Sequence, residues 1–111
     1  MAENKNYIVQ PQENGTVLIS EEVLVAIIFQ AVAEVENVAL SGIKGKNWGK
    51  GIKVIILDDE TVEVKVYISV SYNQSVVSAA ANVQEAVTSA LESMTAVKVA
   101  NVNVNVVGVD R

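Results

Sequence analysis

The sequence predicts an α+β fold, a two-layer sandwich with two helices packed on one face of a mixed, mostly antiparallel five-stranded sheet, in the order β-α-β-β-β-α-β. Three observations predict it. Val62, Val64, Val66, Ile68 and Val70 alternate with Thr61, Glu63, Lys65, Tyr67, Ser69 and Ser71, the period of two that gives a strand one dry and one wet face. Past Tyr72 and Asn73 the period changes: Val76, Ala80, Val83, Val87, Ala90, Leu91 and Met94 recur at three and four, opposite Ser78, Asn82, Glu85, Ser89 and Glu92. That is an amphipathic helix, and the dry face of the strand is its partner. The outward positions of the last two strands are Thr, Glu, Lys, Ser and Asn, which are unsuited to lie under a helix, so both helices share one sheet face and the other stays bare.

Taken in order, residues 1–14 are polar, hold the sole proline, Pro11, and have no period beyond Tyr7-Ile8-Val9, which reads as a mobile arm. Residues 15–111 then form a single domain. Thr16-Val17-Leu18-Ile19 is a short first strand. Ser20, followed by Glu21 and Glu22, gives a helix start, a capping hydroxyl with two carboxylates at the positive end of the helix dipole. Val23, Leu24, Ile27, Ile28, Ala31, Val32 and Val35 carry the helix to about Glu36, where Asn37 stops it. Val38-Ala39-Leu40 with Ile43 makes a second strand that runs into the glycine-rich residues 42–51. Residues 52–57 and 62–71 flank Asp58-Asp59-Glu60 as an antiparallel hairpin with an acidic turn in water, and the three central strands form a meander. After Thr95-Ala96 comes a last strand with Val102, Val104 and Val106 alternating with Asn101, Asn103 and Asn105. Its apolar phase shifts between Val99 and Val102, so either the strand starts at Ala100 or a bulge sits nearby.

The chain of 111 residues has a net charge of −5, which argues against broad binding to nucleic acid or anionic lipid. With no Cys and no His there is no disulfide, no thiolate nucleophile, no imidazole base and no zinc site built from either residue. No apolar leader opens the chain, and its richest apolar run, residues 23–33, is too short for a hydrocarbon layer of ~30 Å. A cytoplasmic protein without direct membrane insertion, without a cofactor and without catalytic residues is expected.

Two groups of residues are candidates for binding. Residues 42–53 hold Lys44, Lys46, Lys50 and Lys53, four glycines and the sole tryptophan, Trp48. Such a segment can hold an anion or a partner, or be a solvated loop whose Trp covers the core; the P-loop pattern fails because Gly51 follows Lys50 where Ser or Thr is required. On the first helix, Val25, Phe29 and Ala33 widen the apolar stripe beyond one face, and either they form a protein interface or the second helix or the arm covers them. The second helix has a clean polar side and no apolar residue left over. Asp58, Asp59 and Glu60 offer oxygen ligands but no EF-hand spacing. The Val-Asn alternation has no edge protection, so at a sheet edge it invites pairing with another chain.

From Gly15 to Val109 the sequence resembles the alkaline shock protein family, the Gls-type general stress proteins of Gram-positive bacteria. The residues that carry this are Gly15-Thr16-Val17-Leu18-Ile19-Ser20 leading to Val23; Val35-Glu36-Asn37-Val38; Gly51-Ile52-Lys53-Val54 with Val70-Ser71-Tyr72; and Val83-Gln84-Glu85-Ala86-Val87 through Met94-Thr95 to residues 102–106. Many members have a glycine where this chain has Asn37 and Asn73, both replacements that tolerate left-handed backbone. The chain lacks the long charged extensions of some members. The resemblance implies a non-enzymatic cytoplasmic protein of cell-envelope homeostasis and stress, a homo-oligomer, in some members held at the membrane by an anchored protein partner. It carries over no catalytic residues, and the acidic net charge leaves no strong nucleic-acid binding expected. The alternative from a different class is a small-ligand or nucleic-acid binding module that uses the basic residues 42–53.

Overall fold

The computed structural model describes residues 7–40 and 51–110. Its elements are β1 (Tyr7–Gln12), β2 (Gly15–Ser20), α1 (Glu21–Ala33), β3 (Val38–Leu40), β4 (Ile52–Ile56), β5 (Thr61–Ser71), α2 (Val76–Thr95) and β6 (Lys98–Asp110). This is the α+β fold that the sequence predicts, with two helices and mostly antiparallel strands, and from β2 onward the expected order holds.

The axis is β5. Val62, Val64, Val66, Ile68 and Val70 are all 0 % exposed, so the alternation in the sequence is the dry face of the central strand. Parallel β6 pairs along the whole of β5 on one edge. On the other edge β4 pairs with positions 62–66 and β3 with positions 68–70, both antiparallel. The expected meander is therefore not formed: β3 and β4 line up end to end along β5. The reason is length, since β4 satisfies only part of an 11-residue edge and β3 supplies partners for the backbone groups that remain. Leu40 and Ile52 face Ile68 and Val66, so the chain between them leaves and rejoins one row only two positions apart.

The phase shift in the last strand is a bulge. Val99 pairs with Val62 and Asn101 with Glu63, which leaves Ala100 as the extra residue; a second irregularity leaves out Val107. Both helices lie on the dry face, α1 over β3 and β4, α2 over β6, and they pack against each other. Ser20 caps α1 by accepting from the Val23 N–H, and Ser75 caps α2 by accepting from Ser78 N–H. Asn37 and Asn73 adopt left-handed backbone, with φ of 67° and 74°.

The amino terminus departs from the expected mobile arm. Residues 7–12 form β1, paired antiparallel with β2 in a two-stranded sheet separate from the main one. Two contacts fasten this hairpin. The Ile8 side chain is wholly buried in the core, and the Val9 N–H donates to Glu60 Oε1 at 3.1 Å. The acidic turn is accordingly not a solvated one throughout: Glu60 is half-buried and reaches β1, while Asp59 accepts from the backbone N–H and the hydroxyl of Thr61 at 3.2 and 2.6 Å. The far part of the hairpin is exposed, with Val17 and Leu18 in the open.

Candidate functional site

The sequence contains neither His nor Cys, and among the described residues no cluster of three or more Asp or Glu could hold a metal ion. Nor is any buried side-chain polar atom among them left without a hydrogen-bond partner, so none is held ready for a ligand. The Asp58-Asp59-Glu60 turn is engaged in the fold through Asp59 and Glu60, as described above. What the described residues do offer is shape. Between α1 and α2, on the side away from the sheet, runs a groove of about 790 Å³.

Its walls follow from helical spacing. Val23, Ile27 and Ala31 form one stripe of α1 at intervals of four, continued past its end by Val35, with Ala26, Gln30 and the capping Glu34 beside it; Ala86, Ala90 and Met94 form the facing stripe of α2, with Ser89 and Ser93. The floor is partly sealed, since Ala31 is buried and Ile27, Val35, Ala86 and Ala90 pack against the core. The rims are open: Val23 is 46 % exposed and Met94 69 %. Small side chains at Ala26, Ala86, Ser89, Ala90 and Ser93 make the groove, because two helices held apart by the sheet leave a furrow where nothing bulky fills it. One polar link crosses a turn of α1, from Gln30 Nε2 to Glu34 Oε2 at 3.2 Å.

The charge around this groove has one sign. Glu21, Glu22, Glu85 and Glu92 lie on the helices, Glu34 and Glu36 follow α1, and neither helix has a Lys or Arg. A shallow depression bordered by Glu85 and Glu92 adjoins the groove at Ser89. The described lysines lie elsewhere: Lys53 and Lys65 face each other across β4 and β5 at outward positions, and Lys98 opens β6. The helix layer is thus acidic throughout, whereas the outer sheet mixes Lys53 and Lys65 with Glu63.

The sequence-predicted residues are not brought together here. Val25 is half-buried against the core, whereas Phe29, at 39 % exposure, and Ala33 are exposed on a flank of α1 that does not line the groove. Lys44, Lys46, Trp48 and Lys50 lie outside the described residues, and Lys53 is exposed on β4. The second helix does have apolar residues left over, contrary to its clean polar side: Val76, Val77 and Met94 are exposed. Its stripe of Val83, Val87 and Leu91 is fully buried, and Ala86, Ala90 and Met94 form a second stripe beside it. That doubled interval of four was the signal for the groove.

Comparisons with known proteins follow the same chain. A profile of the alkaline shock protein family, described as having a cell envelope-related function, matches residues 9–111. A Bacillus subtilis (strain 168) protein, the uncharacterized protein YqhY, is 35 % identical over 105 residues, covering 86 % of this chain and 77 % of its own. No solved structure matches.

Proposed function

Because the chain belongs to the alkaline shock protein family, whose function is cell envelope-related, we propose that it is a non-enzymatic docking module whose binding face is the groove between α1 and α2. In this reading it supports the cell envelope, and the response to stress on it, through self-association and through a protein partner held at or near the cytoplasmic membrane. The observation that carries it is the open apolar furrow with Val23 and Met94 on its rims, in a chain without His or Cys. Exposed apolar surface framed by polar residues is what protein interfaces are built from. Among the described residues no helix is long and apolar enough to cross a membrane, which fits attachment through another protein.

Ala26 is exposed and lines the groove, so Ala26→Arg fills it without disturbing the core. The expected result is an unchanged thermal melt with loss of capture of the protein from membrane fractions. A variant that melts and is captured as the unaltered protein is would refute the docking role of this groove.

A further inference from the structure

We propose that the occupant of the groove is a basic amphipathic helix of a partner protein, an inference that rests on the docking reading above and gives its partner a chemistry. Shape comes first. The groove follows α1, whose 13 residues span about 20 Å, so it offers room for some three to four turns of a third helix laid along the other two. The small side chains Ala26, Ser89 and Ser93 admit bulky apolar side chains from that helix, which is how a helix docks by its i, i+3, i+4 and i+7 positions.

Charge then selects the occupant. A helix seated in the furrow lies between Glu34 on one wall and the Glu85 and Glu92 side of the other, with no Lys or Arg on either helix. An acidic or neutral amphipathic helix would bring its polar flanks against carboxylates of like sign or gain nothing from them. Lys or Arg on those flanks gains attraction and speeds encounter. The same polarity disfavours an anionic lipid surface, which would be repelled by this layer. It equally disfavours a second copy docking helix layer to helix layer, because both faces would be acidic.

The test uses the full chain and two synthetic 14-residue helical peptides with the same leucine face, one with Lys and one with Glu on its polar face, titrated by calorimetry at low and high salt. The expected result is binding of the Lys peptide at least tenfold tighter than the Glu peptide, weakening as salt rises. Ala26→Arg should abolish this binding, and the combined Glu34→Gln, Glu85→Gln and Glu92→Gln variant should reduce it about tenfold. Both variants change exposed residues, and their thermal melts verify folding. Equal binding of the two peptides, no binding of either, or Lys-peptide binding that survives Ala26→Arg overturns the proposal. If Ala26→Arg still removes capture from membrane fractions while the peptides bind alike, the docking reading stands and only the basic occupant falls.

Discussion

Ala96 closes α2 in left-handed backbone, with φ at 59°, and its N–H returns to the Glu92 carbonyl as a helix-ending bond. An L side chain in that region costs ~1 kcal/mol or more, against the roughly 0.5–1 kcal/mol that glycine loses in chain entropy. Ala96→Gly is therefore expected to stabilise the domain by up to about 1 kcal/mol, read as a rise of a few degrees in the melting midpoint. A fall in the midpoint would show that the methyl group makes a contact worth more than the strain. Asn37 and Asn73 were legible as left-handed positions because their side chains favour such backbone. Glu60, with φ of 69°, was not, since it is the last residue of a three-residue hairpin loop, closed by the Glu60 N–H on the Leu57 carbonyl and the Leu57 N–H on the Thr61 carbonyl, where glycine or asparagine would have marked the left-handed position. Nothing in the structure explains why position 96 is alanine.

At the scale of elements, strict alternation and helical spacing made β5, α1 and α2 readable, and the broken valine phase made the β6 bulge readable as one of two options. The strand β1 was hidden because its apolar content is one short patch and its partner is another short strand. A buried anchor gives it away only in three dimensions. Ile8→Ala is expected to cost about 2–5 kcal/mol, as for a fully buried aliphatic side chain, with loss of amide protection along β1 and β2. Chemical denaturation with hydrogen exchange measures both, and no change in either would restore the mobile arm. Val66→Asp puts an unpaired charge at the centre of β5, where Val66 is 0 % exposed, and should unfold a domain whose stability is of the usual ~5–15 kcal/mol. A folded Val66→Asp protein would mean that the faces of β5 are reversed. The edge of β6 is less open than its Asn-Val alternation suggests, because Gln84 Nε2 donates to the Val102 carbonyl at 3.0 Å and occupies one of its acceptors.

For the whole molecule, the decisive feature is the division into two faces of different chemistry. The sheet presents Lys53, Lys65, Glu63 and an asparagine row, and the helix layer presents an apolar furrow among carboxylates. The surplus of apolar residues on α1 was legible at the flank of Val25, Phe29 and Ala33, of which Phe29 and Ala33 are exposed, whereas the furrow was not, because the separation of the two helices cannot be read from either helix alone. Only their placement over β4 and β6 leaves the furrow between them. The most direct measurement of the docking claim is photo-crosslinking in living cells with a benzophenone amino acid placed at Ser93, in the groove, or at Asn103, on the bare sheet, both exposed positions. Defined crosslinked protein species are expected from position 93 and none from position 103, with the position-93 products lost in the Ala26→Arg background. Crosslinks from position 103 alone would place the binding face on the sheet and contradict that claim.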